Sequence, residues 1–480
     1  MIKHTIKINL TGGFVSAGDL YEILLIAQTA GATHIRFGNR QQLYFMVEGD
    51  ALEDLEMDML RADIAYEVDA DDYPNIVSSY VCNAFFSHDN WVTEGVYRDI
   101  FDLFDHRPQL KINIVDQQQT FVPFFSGNIN FISSQTSNYW HLYIRFPKTN
   151  HFYTWPTLVY TDDIARISQT IEEVILKNKA SFFDQPKINE LFFYKSVSSK
   201  MPTSFSHPAE ALKLPDFFLP YYEGFNKYDD NSYWLGIYRR NELFPITFLM
   251  DMASLCIKTR IGQLYTTPWK SILVKDIKLA NRAEWGYILN NYRVNVRHAA
   301  NELNWQIEDL CDEGLNLKQK LVRAFEEADL RTYRLSFAIK TQPKTGLLGS
   351  IVVRKQPLGK FSILHTVDFN PNNKHYVCFK IDLDEEELAP NLISLCEHYY
   401  ATAVSSATIL SAEKSQHTQA QNTDALQQYQ CKDCLSIYDE RYGDEINNVA
   451  PGKRFANLAN YYCPVCEAPK GNFKALSGVS

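Results

Sequence analysis

Residues Ile8–Val47 read INLTGGFVSAGDLYEILLIAQTAGATHIRFGNRQQLYFMV. The order is strand, turn, helix, strand, turn, strand. Ser16 and Asp19 form the S-x-x-D pattern of a capping box, and Leu20, Ile23, Leu24 and Ala27 follow at helical spacing. Gly31 ends that helix, and Arg36 and Arg40 flank a short turn. Leu43, Phe45 and Val47 alternate as a strand does, and an acidic helix is expected from about Leu52. A second stretch, Trp234–Ile277, reads WLGIYRRNELFPITFLMDMASLCIKTRIGQLYTTPWKSILVKDI and repeats that order. Gly262–Tyr265 takes the place of Thr33–Arg36, and Thr267–Ser271 that of Gly38–Gln42. Two halves about 225 residues apart share one plan, the mark of an internal repeat.

The chain around this repeat has 480 residues, too many for one core, so three to five domains are expected. Hydrophobic residues make up 45% and charged residues 22%, ordinary globular proportions. The net charge of −10 argues against a nucleic-acid partner, which needs a basic surface. No run approaches the roughly 20 apolar residues of a membrane span. The opening MIKHTIKINL alternates as a strand and lacks the apolar stretch of a signal peptide, so a cytoplasmic location is expected.

Nine cysteines fall into two classes. Cys82, Cys256, Cys311, Cys378 and Cys396 are scattered in apolar settings and read as small buried hydrophobes. Cys431, Cys434, Cys463 and Cys466 form two C-x-x-C pairs near the C-terminus. Two such knuckles facing each other make a tetrahedral sulfur cage, which suits iron or zinc. The segment 405–428 between body and knuckles lacks Gly, Pro and aromatics, and reads as a tether or a polar helix.

The segment 429–480 resembles rubredoxin. Tyr438, Gly443-Asp444, Pro451-Gly452 and Phe455 stand at that family's spacing. Leu458 and Tyr462 are assigned to its core, and Cys463-Pro464-Val465-Cys466 with Ala468-Pro469-Lys470 and Phe473 completes the pattern. The resemblance implies one iron per chain in an Fe(Cys)4 centre held by Cys431, Cys434, Cys463 and Cys466. Structural zinc is the alternative, since both metals accept the same ligands. The chain departs from the family directly after each knuckle, where Leu435 and Glu467 replace glycines that adopt positive φ.

The rest resembles the sulfite/nitrite reductase family of sirohaem proteins. Ile35–Gln41 matches its I-R-L-T-x-R-Q, and Thr267–Ser271 the T-P-W-R-S of a related branch. Asn75-Ile76-Val77, Leu110–Ile114 and Gly127–Ile132 match further segments. The implied fold is α+β. Ferredoxin-like half-domains at 1–72 and 220–285 each precede a larger sirohaem-reductase-like domain, at 73–205 and 286–404. The family's basic pocket would place Arg36, Arg40, Lys111 and Lys270 around a tetrapyrrole or anion, although Asn113 replaces a basic partner of Lys111. Lys258, Arg260, Arg293 and Arg297 are further cations. His298, ahead of the stretch ANELNWQIEDLCDEG read as helical, is a candidate axial ligand, weighed against an ordinary helix-start histidine. The body's cysteines lack the spacing of the family's cluster quartet, so no [4Fe–4S] cluster is expected.

These readings lead to an electron carrier. A reductase would load the iron, and the degenerate body would present it to an acceptor oxidoreductase, an assimilatory nitrate, nitrite or sulfite reductase. The rival is a cluster-less tetrapyrrole reductase that uses the iron as electron inlet.

Overall fold

The computed structural model describes residues 2–86, 90–201, 211–229, 231–296, 301–343, 345–373, 375–415, 427–433, 436–440, 442–444, 446–447 and 449–476. Two compact units result, Met1–Cys396 and Glu397–Ser480.

The repeat read from the sequence is present in the first unit at residue level. Both five-residue turns close with the same pair of backbone bonds. Gly38 N–H donates to Gln42 O and Gln41 N–H to Gly38 O, while Thr267 N–H donates to Ser271 O and Lys270 N–H to Thr267 O. Gln41 and Lys270 take the same left-handed conformation, at φ 62° and 56°. The helices behind them also correspond. Ala17–Thr29 starts where the Ser16 hydroxyl accepts from Asp19 N–H, and it buries Leu20, Ile23, Leu24 and Ala27, the stripe expected. Ile246–Thr259 buries Phe248, Leu249, Met252 and Ala253 on its matching face. The acidic helix expected after the first repeat spans Leu52–Arg61.

The halves exchange strands. The first sheet has the order Phe244–Pro245, His34–Phe37, Leu43–Glu48, Lys3–Ile8, Glu67–Val68, so its edge strand comes from the second half. The second has the order Gly224–Asp229, Ser232–Ile237, Ile272–Lys278, Gln263–Thr266, Phe14–Ser16, with an edge strand from the first half. One apolar core serves both, including Leu20, Leu24, Leu235, Leu249 and Trp285.

The two larger sheets also repeat. In one, Val77–Ser78, Ile112–Val115 and Ile129–Ser133 run parallel, and Tyr139–Arg145 and Phe152–Thr154 follow antiparallel. In the other, Trp305–Ile307, Phe337–Lys340 and Ile351–Lys355 run parallel, and Phe361–Thr366 and Tyr376–Leu383 follow antiparallel. Parallel strands covered on both faces are apolar throughout. Trp305, Gln306 and Ile307 are all buried, which corrects the helical reading of ANELNWQIEDLCDEG: the stretch holds a strand, and the helix Asp312–Glu327 begins only at its last three residues. Arg297 and His298 lie outside the described residues.

The scattered cysteines need one correction. Cys82, Cys256 and Cys396 are buried as expected, whereas Cys311 is half-buried and Cys378 exposed. The Cys311 sulfur caps Asp312–Glu327 by accepting from Gly314 N–H. Cys378 sits on a sheet-edge strand that leaves most of its side chains in solvent. The helix Glu385–Ser415 carries the chain out of the first unit and into the segment read as a tether. Among the described residues no helix is long and apolar enough to cross a membrane.

Candidate metal centre

The C-terminal unit is built on a three-stranded sheet, Ile437–Asp439, Gln428–Cys431, Phe473–Leu476. Its core is aromatic. Tyr429 stacks on Phe455 at 4.3 Å, and Tyr438, Tyr461 and Phe473 surround that pair. Leu458 is buried as expected, but Tyr462 is 52% exposed and Tyr461 takes the core place. Tyr462 forms an antiparallel bridge to Pro469, so neighbouring side chains point to opposite sides and only Tyr461 turns inward.

Polar groups tie this core down. The buried Glu440 carboxylate accepts from Gln427 N–H, Phe455 N–H and Arg454. Burial pushes its pKa up, but these donors outweigh burial and hold it below the usual range. Gly443 sits at φ 69°, where an added Cβ would meet Val449 O at 2.2 Å. The acidic turn read at Gly443-Asp444 therefore requires glycine on two counts.

The knuckles are built alike. Cys431 N–H donates to Ser436 O, and Cys463 N–H to Ala468 O, each at 2.8 Å. Each bond closes a tight turn that holds its cysteine in place. The sulfurs of Cys431, Cys463 and Cys466 all lie within 4.8 Å of one another, with Cys431 and Cys466 at 3.5 Å. Cys431 and Cys463 are buried and Cys466 is half-buried. Cys434 and Leu435 lie outside the described residues. Glu467 has φ 59°, the left-handed backbone expected where the family carries glycine. One contact was not read from the sequence: the Ser436 hydroxyl lies 2.9 Å from the Cys463 sulfur. Against a thiolate that hydroxyl is the donor. Three converging sulfurs and a hydroxyl aimed at one of them fit a metal-thiolate centre.

The rubredoxin family profile matches residues 428–473. The rubredoxin of Megasphaera elsdenii is 47% identical over 49 residues, which are 10% of this chain and 92% of that protein. The probable rubredoxin HupI of Bradyrhizobium diazoefficiens is 42% identical over 48 residues, 10% of this chain and 70% of that one. Through this segment the chain belongs to the rubredoxin family. The rubredoxin domain therefore binds iron through its cysteines and serves iron–sulfur electron transfer. The body has a different relative. The structure of the Mycobacterium tuberculosis NirA protein superposes with a TM-score of 0.62 at 13% identity, over 81% of this chain and 79% of that one. The body thus has the α+β fold to which its sequence pointed, shared with that NirA protein.

In the body, the four cations assigned to a pocket are mostly engaged by the protein itself, and Arg40, Lys111 and Lys270 all feel the Asp309 carboxylate. Arg36 pairs with Asp312 at 3.1 Å. Arg40 is buried. Its Nη1 donates to Asn113 Oδ1 at 3.1 Å, and its Nη2 to Asn75 O and Ile112 O at 2.7 and 2.8 Å. Lys270 is buried and donates to Glu242 Oε2 at 2.9 Å and Glu308 O at 3.1 Å. Burial and the neighbouring Arg40 hold the Lys111 pKa below its usual value. Asn113, which replaces a basic residue in the resemblance, binds Arg40 through Oδ1 and the Ser126 hydroxyl through Nδ2. Lys258 pairs with Glu284, and Arg260 closes a helix at φ 60°. Arg40 and Lys270 are thus committed to protein acceptors and do not fit the role of tetrapyrrole ligands. Among the described residues the grouping of three or more ligating side chains is the one at Cys431, Cys463 and Cys466.

Sequence reading missed a second set of cations. Arg145 and Lys340 each end a strand and line a cavity of about 330 Å³ with Arg354. A charge closing an otherwise buried strand was the available signal.

Proposed function

We propose that this protein is a one-electron carrier whose rubredoxin iron is held by Cys431, Cys434, Cys463 and Cys466. The convergence of the described sulfurs in two facing knuckles carries this reading. A rigid four-sulfur cage changes little between oxidation states, so an electron enters and leaves with small rearrangement. The body binds a partner oxidoreductase and delivers the iron to it. An assimilatory nitrate, nitrite or sulfite reductase is the acceptor most in keeping with the body's fold, by analogy alone. On this reading the body works as a scaffold, with no [4Fe–4S] cluster expected in it and a tetrapyrrole left to the spectrum below to decide. Arg40 and Lys270 serve protein acceptors, and the body's cysteines sit on separate elements.

An ultraviolet–visible spectrum with metal analysis on the same sample tests the reading. The carrier gives sulfur-to-iron charge-transfer bands, about one iron per chain, and bleaching on reduction. An additional Soret band would transfer the case to a tetrapyrrole reductase fed by the rubredoxin iron, and a colourless zinc protein would end the electron-transfer reading. Cys434→Ser should stop electron delivery to the acceptor reductase, and intact delivery would remove the carrier role.

A further inference from the structure

The cavity of about 330 Å³ lies between the two larger sheets of the body. It falls at the small end of the roughly 300–1,000 Å³ that ligand pockets span. Its walls divide by chemistry. Phe125, Phe152, Leu348, Val352, Leu364 and Tyr376 form an apolar, partly aromatic side, with Phe125 and Phe152 edge to face at 5.6 Å. Arg145, Lys340 and Arg354 supply positive charge to the same space.

Among the described residues that charge has no salt-bridge partner on any of the three side chains. Arg145 spends one contact on the Ser126 carbonyl, at 3.0 Å. The nearest acidic influence on Lys340 is Glu308, whose carboxylate is occupied by Thr341 N–H and Gln342 N–H. Burial and the repulsion of Arg145 bring the Lys340 pKa down to about 8, and burial brings Arg145 down to about 10. The Thr345 hydroxyl oxygen, on the same wall, is buried without a hydrogen-bond partner. Arg145 and Lys340, withdrawn from solvent without a salt-bridge partner, and an orphaned hydroxyl are costly in a folded interior unless a ligand satisfies them.

We infer that this cavity binds a small aromatic carboxylate, whose carboxylate meets Arg145, Lys340 and Arg354 and whose ring packs on Phe125, Phe152 and Tyr376. A guanidinium is suited to a carboxylate because its fork donates in pairs. The apolar wall favours an organic anion over an inorganic one, which would leave that wall unmatched. The site concerns the body alone and stands independently of the electron-transfer reading.

Calorimetric titration of the full-length protein with benzoate tests the inference, with benzamide and sulfate as comparison ligands. Saturable benzoate binding is expected, with benzamide and sulfate each at least tenfold weaker. Lys340→Gln and Arg354→Gln should each weaken benzoate at least tenfold. The Arg354 side chain is exposed and makes no described hydrogen bond, so its replacement leaves folding intact and an unchanged thermal midpoint verifies this. Absence of benzoate binding by the native protein would overturn the site. Equal affinity for sulfate would overturn the aromatic class, and full binding by Arg354→Gln and Lys340→Gln would overturn the assigned residues. A tetrapyrrole copurifying against these residues would likewise overturn it.

Discussion

Charged and ligating side chains meet different fates in the two units. In the rubredoxin domain, Cys431, Cys463 and Cys466 face one another within 4.8 Å, and the surrounding polar groups, Ser436 apart, hold the frame rather than the sulfurs' lone pairs. In the body, the cations at the corresponding heart of the fold face the protein. Arg40 is spent on two carbonyls and an amide, and Lys270 on Glu242 and a carbonyl. Cations at the heart of a fold can therefore serve the fold itself. Function has to be read from what each polar group has left to offer.

The largest effect should come from breaking the cage. Cys463→Ser replaces a buried thiolate by a poor ligand for this site and should remove essentially all bound iron and its visible bands. The body's thermal transition should stay where it was, because the two units are separately compact. Iron analysis and differential scanning calorimetry on one preparation measure both. Retained iron would mean that the cage is assembled differently.

Arg40→Ala is the converse experiment. It strips the donors from Asn75 O, Ile112 O and Asn113 Oδ1 in a buried setting. Leaving such acceptors unpaired should destabilise the body on the order of 3 kcal/mol. The iron spectrum should not change. A denaturant titration followed by tryptophan fluorescence reads the body, and absorbance reads the iron. If Arg40→Ala left stability intact but released a bound cofactor, the structural assignment of Arg40 would fail.

The contrast also marks how far sequence reading reached. Local rules succeeded: the Ser16 cap, the buried stripe of the first helix, the matched turns at Gly38–Gln42 and Thr267–Ser271, and the paired knuckles all lie within short windows. Long-range partners were out of reach. Nothing near Phe14–Ser16 or Phe244–Pro245 shows that each completes the other half's sheet. Arg40 was read as a pocket cation beside a turn because its acceptors, Asn75 and Ile112, come from a different part of the chain. Trp305–Ile307 was read as helix because a short apolar run buried on both faces has no period to separate strand from helix. Tyr461 and Tyr462 were confused for the opposite reason, since a one-residue slip in an extended segment exchanges inside and outside.

Within the rubredoxin domain the knuckles differ at the position after each second cysteine. Glu467 occupies left-handed backbone at φ 59° with a Cβ to accommodate. Glu467→Gly should stabilise the domain by about 1 kcal/mol. The midpoint of iron-band loss in guanidinium reports it. A loss of stability would show that the Glu467 side chain contributes more than its backbone costs.

The smallest expected effect separates the knuckles most finely. Ser436 and Ala468 occupy equivalent places, each accepting through its carbonyl from the N–H of the first cysteine of its own knuckle. Only Ser436 has a hydroxyl, and it reaches across to the Cys463 sulfur at 2.9 Å. A hydrogen bond to a ligating sulfur favours the reduced, more negative centre and so raises the potential. Ser436→Ala should lower the potential by tens of millivolts, less than the ~59 mV that makes a tenfold change in a one-electron equilibrium. Installing the missing hydroxyl with Ala468→Ser should raise it only if the second knuckle offers a sulfur within the same reach. Protein-film voltammetry on both variants measures the pair. An unmoved potential in Ser436→Ala would mean that the hydroxyl bonds elsewhere once iron is bound, and that the two knuckles are electronically equal despite their different sequences.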